Sequence, residues 1–171
     1  MKTLAINFLY CLLVITIVEL SFKQDAHAQL KRFSIGPYVE AAFPTGDFSD
    51  THKTGIGVGL GADIKLVAGL TAVGSVGFNY FKGETLNSVK IPDAKVIPIR
   101  LGLRYKLVSI LYIKVEGGTA QFLGDYNDGV GALFAPGIGI RILGLDVEGK
   151  YESWFKDGTH AFWGLKASYN F

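Results

Sequence analysis

The feature that most constrains this chain is the strict alternation of side-chain character over its last ten residues. Trp163, Leu165 and Tyr169 would lie on one face of an extended strand, and Gly164 and Lys166 on the other. The same period of two recurs along the chain after residue 28, in segments about as long as the roughly 9–11 residues of a tilted bilayer-spanning strand. It predicts eight strands, at residues 33–43, 55–66, 69–81, 96–107, 110–122, 130–143, 145–155 and 162–171.

The first 28 residues predict a signal peptide. Lys2 precedes an apolar run over residues 4–18, and Ala26-His27-Ala28 places small residues around a cleavage site. A membrane anchor is the alternative, but the run is short for a spanning helix of roughly 20 residues. We therefore expect a signal peptide at 1–28 and a single β-barrel domain at 29–171.

The composition excludes several classes of function. The one cysteine, Cys11, lies in the predicted leader, so the rest of the chain has no thiol for a disulfide, a metal site or a nucleophile. The net charge of +2 is too small and too evenly spread to indicate a nucleic-acid partner. Mean hydropathy is +0.31, yet after residue 28 the apolar residues are dispersed in alternation rather than gathered in a spanning run.

The predicted connections alternate in length along the chain. Those after the second, fourth and sixth strands are very short, whereas the others are mostly longer and polar. Outer-membrane barrels have short periplasmic turns and longer extracellular loops, so this asymmetry favours a barrel with one rim outside the cell. The predicted loops are residues 44–54, 82–95, 123–128 and 156–159.

The alternation alone fits either a soluble barrel with an apolar interior or a membrane barrel with the reverse polarity. Charge on the predicted strands is confined to one face and is of mixed sign, which suits pairing inside a crowded eight-stranded barrel. The other face avoids ionisable groups, where a charge at mid-bilayer would cost about 2–4 kcal/mol. We therefore predict an interior salt-bridge network of Asp63, Lys65, Arg100, Arg104, Lys114, Glu116, Asp146, Glu148, Lys150, Glu152 and Lys166.

Aromatic residues on the apolar face collect near the strand ends, as in the interfacial girdles of membrane barrels. Together with the leader, the eight strands and the closing Ser168-Tyr169-Asn170-Phe171, they make the chain resemble the OmpA/OmpX-type small outer-membrane barrels of Gram-negative bacteria. The resemblance implies an all-β, eight-stranded antiparallel up-and-down transmembrane β-barrel, integral to the outer membrane. It also implies a signal for the barrel assembly machinery, carried by Trp163, Leu165, Tyr169 and Phe171.

Some outer-membrane barrels of this size modify lipid A with a histidine and a serine near the external rim. His52 and His160 both fall in predicted external loops, but neither has a serine two residues away. Ser153 and Asp157 could complete a triad with His160, although ordinary loop residues are the better interpretation. We predict no catalytic residue, cofactor or metal site.

Glycine and proline mark positions of special backbone geometry. Gly occupies every second position of 55–61, which predicts a strand face that leaves room for large inward side chains of its neighbours. Pro37, Pro98 and Pro136 each remove a ladder donor, so we expect bulges or locally broken pairing there. Gly117-Gly118 could form a bulge that shifts the strand phase.

The sequence thus predicts a non-enzymatic integral outer-membrane barrel, whose external loops, chiefly 44–54 and 82–95, serve a structural, protective or surface-binding role. Its expected partners are outer-membrane lipid, the assembly machinery and an unidentified extracellular ligand. The alternatives are a narrow channel for small solutes, a lipid A-modifying enzyme, and a soluble lipocalin-like barrel.

Overall fold

The computed structural model describes residues 32–86, 89–124 and 128–171, and the predicted signal peptide lies outside these ranges. In the described chain, eight strands close into a barrel in the order β1-β10-β9-β8-β7-β6-β3-β2, and β4 pairs only with β5. This confirms the predicted all-β antiparallel barrel. The elements are β1 (Phe33–Thr45), α1 (Asp47–Thr51), β2 (Gly55–Val67), β3 (Leu70–Phe81), β4 (Thr85–Leu86), β5 (Val89–Lys90), β6 (Ala94–Lys106), β7 (Leu111–Leu123), β8 (Gly129–Ile142), β9 (Leu145–Phe155) and β10 (Thr159–Tyr169).

Neighbouring residues on a strand face opposite sides of the wall, and the two sides differ sharply in character. Arg100 is fully buried, whereas Leu101 beside it is 70% exposed. On β9, the alternate positions from Asp146 to Trp154 are buried, and Leu145 and Phe155 at its ends are exposed. An apolar exterior around a charged interior is the polarity of a barrel solvated by lipid, which confirms the predicted orientation of the two faces.

The two rims of the barrel differ in their connections. At one rim, called here the turn end, short links at 68–69, 107–110 and 143–144 join successive strands. At the other, the loop end, the links at 46–54 and 82–93 are long and contain α1 and the β4–β5 hairpin. The link at 156–158 is as short as the turns, so the predicted asymmetry comes mainly from the first two loops. Among the described residues, no helix is long and apolar enough to cross a membrane.

Pro98 and Pro136 interrupt pairing locally without changing its register. Pro98 pairs with β7, but on the β3 side the described pairs stop at Ile99 and resume at Val96. The same break occurs beside Pro136 on the β9 side. These breaks confirm the expectation of local disruption.

The predicted bulge at Gly117-Gly118 is wrong. Both residues pair in continuous register with β6 and with β8. A Cβ on Gly118 would overlap the Ile99 carbonyl, so this glycine permits close approach of two backbones rather than an extra residue. A register shift occurs instead at the turn end of β2, between Lys65 and Val67.

Candidate functional site

The most tightly buried charges lie around Arg100 in the middle of the barrel. The Arg100 guanidinium donates to both carboxylate oxygens of Glu152, at 3.0 and 2.9 Å, and to the Tyr38 hydroxyl at 3.0 Å. The Lys150 ammonium lies 2.9 Å from the Glu40 carboxylate and 2.5 Å from that of Glu152. These contacts join β1, β6 and β9 across the interior.

A second group of charges lies on β7, β9 and β10. The Lys114 ammonium is 2.9 Å from the Glu116 carboxylate and 2.5 Å from that of Glu148. The Lys166 ammonium lies over the Tyr38 ring, 4.0 Å from its centroid, an arrangement in which the negative face of the ring attracts the cation. This group is continuous with the first through Tyr38.

A third group lies closest to the turn end. The Arg104 guanidinium is 2.9 Å from the Asp63 carboxylate and 3.3 Å from that of Asp146. Arg141 adds a 2.6 Å contact to Asp63, and the Tyr112 hydroxyl donates to Asp146. The third group therefore ties β2, β6, β8 and β9 together.

The three groups form one interior network whose formal charges balance. Within the described ranges it holds six cations and six anions, so closure of the barrel does not leave a net charge in a low-dielectric interior. The cations are Arg100, Arg104, Lys114, Arg141, Lys150 and Lys166, and the anions are Glu40, Asp63, Glu116, Asp146, Glu148 and Glu152.

The network differs from the predicted set at three residues. Ten of the eleven predicted residues lie in it, but Lys65 is exposed at the turn end of β2, beside the register shift. Glu40 and Arg141 belong to the network and were missed. Both occupy the polar face of predicted strands, and that position was the available signal.

The interior leaves little free space. A cavity of about 30 Å³ remains in its turn-end half, lined by residues that include Asp63, Arg104, Lys166 and Ser168. Such a volume accommodates one or two water molecules. The described interior is thus packed with ion pairs and offers no wide aqueous path.

An aromatic layer closes the interior on the loop-end side of the network. Phe48 of α1 packs against Phe81, with ring centroids 5.0 Å apart, and lies 6.3 Å from Trp154. Trp154 in turn contacts Phe162 at 5.0 Å and Phe122 at 5.6 Å. Sequence reasoning missed this layer, because Phe48 reaches it from a loop.

Both histidines contact this layer: His52 does so from within the predicted loop, and only the placement of His160 in a loop is wrong. The His52 ring is buried 4.8 Å from Phe48, with Nδ1 2.9 Å from the Thr51 hydroxyl and Nε2 3.2 Å from the Pro92 carbonyl oxygen. Burial lowers the pKa of His52 below its ordinary value. His160 lies on β10 rather than in a loop, 5.3 Å from Phe48.

The first two loops are hydrogen-bonded to each other, and their described residues form one structure, called here the loop-end cap (46–54, 82–86 and 89–93). The Lys53 amide donates to the Lys82 carbonyl and the Glu84 amide to the Thr51 carbonyl, both at 2.9 Å. The Asp93 carboxylate accepts from the Tyr80 hydroxyl at 2.6 Å and from the Gly83 amide at 3.0 Å. These hydrogen bonds, that of Tyr80 foremost, hold the pKa of Asp93 below its usual range.

The glycines of β2 make room for side chains on neighbouring strands, as predicted. A Cβ on Gly59 would lie 2.6 Å from the Tyr38 ring, and one on Gly57 would lie 2.9 Å from the Asn79 amide oxygen. A Cβ on Gly55 would meet the Phe81 ring in the same way. Tyr38 and Phe81 are thereby able to fill the two interior layers.

The four residues of the predicted assembly signal share one face. Trp163, Leu165, Tyr169 and Phe171 are all exposed on the outer surface of the barrel. The Trp163 ring packs on Tyr151, and the Tyr169 ring on Phe171, each with centroids 5.0 Å apart. Trp163, Tyr169 and Phe171 contribute to the aromatic girdles at the two rims.

No protein-family model and no curated protein matches this sequence. Among solved structures, Ail of Yersinia pestis in a bilayer nanodisc matches with a TM-score of 0.56 at 14% identity, over 80% of this chain and 99% of that one. The N-terminal β-barrel domain of Pseudomonas aeruginosa OprF matches with a TM-score of 0.50 at 11% identity, over 81% and 97%. A de novo designed transmembrane β-barrel matches with a TM-score of 0.52 at 16% identity, over 81% and 95%.

These likenesses concern the fold, which is that of the small eight-stranded outer-membrane barrels. Taken with the apolar exterior and the charged interior, the fold defines the chain as an integral β-barrel of the bacterial outer membrane. Closure satisfies the main-chain donors and acceptors of the wall, and the apolar residues of the outer face are solvated by lipid.

Proposed function

We propose that this barrel is a non-enzymatic and non-conducting membrane anchor that holds the loop-end cap at the cell surface. The observation that carries the proposal is the double closure of the interior, by the balanced ion-pair network and by the aromatic layer above it. The cap is then the part of the protein that is free to act outside the cell, in a structural, protective or surface-binding role.

The closed interior argues against the alternative of a solute channel. A permeating ion would have to separate contacts such as Arg100–Glu152 and Lys150–Glu40, whose side chains have no solvent exposure. It would also have to displace rings such as Phe48 and Trp154 in the aromatic layer. Removing one partner from a buried ion pair typically costs about 3–5 kcal/mol, so both layers together form a high barrier.

The alternative of a lipid A-modifying enzyme is disfavoured by the two faces of the wall. His160 contacts Phe48 in the interior, whereas the alternation of β9 places Ser153 on the outer face with Tyr151 and Phe155, although Ser153 is only 9% exposed there. A histidine inside the barrel cannot activate a serine outside it. We therefore assign neither residue a catalytic role.

The charges of the loop end bear on the extracellular ligand. Ail, one of the structural neighbours, has been crystallised in complex with the heparin analogue sucrose octasulfate. In the described part of this chain, the loop-end residues carry charges of both signs with no cationic excess. We therefore do not propose a heparin-like ligand for this protein. The acidic residues are Asp47, Asp50, Glu84, Asp93, Asp128 and Asp157, and the basic residues are Lys53, Lys82, Lys90, Lys95 and Lys156.

Single-channel recording in planar bilayers tests the proposal. The full chain is purified from the outer-membrane fraction, and its folding is checked by the shift in gel mobility on heating. The folded protein should give no conductance steps. A stable conductance that changes when Arg100 or Glu148 is neutralised would favour the channel instead. Mass analysis of lipid A from cells with the wild-type chain or His160→Ala tests the enzyme, and we expect identical spectra.

A further inference from the structure

The turn between β8 and β9 presents an apolar residue in a conformation that apolar residues rarely adopt. Leu143 has a φ of 49° and is followed by Gly144 with a φ of 87°. Two-residue turns of this kind favour Asn, Asp or Gly, since a left-handed conformation is costly for other residues. Leu143 is also 94% exposed, so it gains no packing within the barrel that would offset this cost. A backbone outlier without internal compensation points to an interaction with something outside the fold.

The other two connections of this rim share the exposure of an aliphatic side chain but not the left-handed conformation, and Val67 is the last residue of β2, next to its turn. Val67 is 69% exposed and Val108 is 59% exposed. Turns that face water are normally built from polar residues, glycine and proline. All three turns therefore expose a large aliphatic side chain at the same end of the barrel.

The turns lie at the depth of the aromatic girdle rather than beyond it. A Cβ on Gly144 would lie 3.4 Å from the Tyr169 ring, and one on Gly69 would lie 3.4 Å from the Tyr105 ring. Both tyrosines face outward and are about half exposed. Since such rings occupy the headgroup region of a bilayer, the turns are placed in that region too.

The exposed charges at this rim are all positive. Within the described residues of the turn end, the side chains of Lys65 and Lys106 are exposed. The acidic residues nearest to them, Asp63 and Asp146, are buried and paired with Arg104. Flexible lysine stems let the cationic groups reach the phosphates of lipid headgroups.

We propose that the turn end is a binding surface for anionic phospholipid headgroups of the periplasmic leaflet. The side chains of Leu143, Val67 and Val108 insert at the boundary between headgroups and acyl chains, while the surrounding cations pair with the phosphates. The combination of exposed aliphatic side chains with unopposed positive charge is that of interfacial membrane-binding segments. Orientation follows from the short turns, which face the periplasm in this class.

Spin labelling tests the insertion of the turns. In the full chain carrying Cys11→Ser, a nitroxide is attached at Leu143→Cys or at Asp157→Cys. Asp157 is a matched control at the loop end, because it has a φ of 48° and also precedes a glycine of positive φ. In vesicles of phosphatidylcholine and phosphatidylglycerol, the label at 143 should be accessible to oxygen and protected from a water-soluble nickel chelate, and the label at 157 the reverse.

Two outcomes of this experiment would overturn the proposal. One is equal nickel accessibility of the two labels. The other is a label at 143 that is accessible to the nickel chelate in vesicles but protected from it in native outer-membrane preparations. That result would identify a periplasmic protein as the occupant.

Denaturation by urea tests the choice of anionic lipid. Wild-type protein should resist urea better in phosphatidylglycerol-containing vesicles than in pure phosphatidylcholine. Lys65→Gln/Lys106→Gln should lose this advantage, by about fivefold in the folded-to-unfolded ratio for each lysine. The loop-end variant Lys53→Gln/Lys82→Gln is the matched control and should retain it. Equal losses in the two variants, or no lipid dependence in the wild type, would contradict a specific role for the turn end.

Discussion

Arg100 on β6 and Glu152 on β9 are joined by two hydrogen bonds, 2.9 and 3.0 Å long, between side chains that have no solvent exposure. The two strands are not neighbours in the wall, since β7 and β8 lie between them. The pair therefore braces the barrel across its interior, and its paired geometry is the strongest that a guanidinium and a carboxylate can form.

Replacing one member of this pair should be more harmful than replacing both. Arg100→Met removes the guanidinium partner of the Glu152 carboxylate and gives the barrel interior a net negative charge. We expect a loss of about 3–5 kcal/mol in the free energy of unfolding. Arg100→Met/Glu152→Met leaves the Lys150–Glu40 contact in place and restores the balance of charge, so it should lose less. Urea unfolding in vesicles, followed by tryptophan fluorescence, gives both values. A double variant less stable than the single one would show that charge balance is not the controlling factor.

The space beside Gly59 should be intolerant of a side chain. Gly59→Ala places a methyl group against both the Val76 carbonyl oxygen of β3 and the Tyr38 ring, and overpacking of this kind costs about 1–3 kcal/mol. Gly149→Ala is the matched control, because its Cβ would meet nothing within 4 Å. The control should be neutral or slightly stabilising in the same unfolding assay. If both variants behave alike, β2 glycine spacing does not serve interior packing.

The lipid-facing side of the barrel wall should reject charge according to depth. Leu101→Arg, near the middle of the strand, should lower the free energy of unfolding by about 2–4 kcal/mol. Val130→Arg, at the loop-end start of β8, should cost about 0–1 kcal/mol, since it lies near the interface. Equal costs at the two positions would argue against a bilayer centred on the strands.

The anchoring of α1 should weaken as the pH falls below about 6.5. Because burial lowers the pKa of His52, the anchored state holds it neutral, whereas a released loop binds a proton near the ordinary histidine pKa of about 6.5. The stabilisation is therefore complete above that pH and is lost below it. Amide hydrogen exchange of residues 47–52, corrected for intrinsic rates, should accelerate between pH 7.5 and pH 5.

The variant His52→Phe should remove most of this pH dependence. Asp93, which also faces His52, has a lowered pKa, so its contribution persists above the usual carboxyl range and is lost only at lower pH. His160 is the other titratable group in the same aromatic layer. A variant of His160 should therefore be compared with His52→Phe in the same hydrogen-exchange assay. An unchanged exchange profile in His52→Phe would exclude His52 as the titrating group.

The sequence by itself determined the number of barrel strands, their approximate bounds and the polarity of the two faces, but not the β4–β5 hairpin. These properties follow from a period of two, which is local and can be read from each segment alone. It also identified most of the buried charges, because they fall on the polar face of the alternation.

Only the tertiary structure decided which charges meet, because strand tilt and stagger set which levels of the wall face each other across the interior. Arg100 and Glu152 are 52 residues apart, and no local pattern relates them. The same holds for the aromatic layer, where Phe48 arrives from a loop helix, and for Lys65, whose inward parity is cancelled by its place at the rim. The alternation assigned each residue to a face, and closure of the barrel assigned each its depth and its partners.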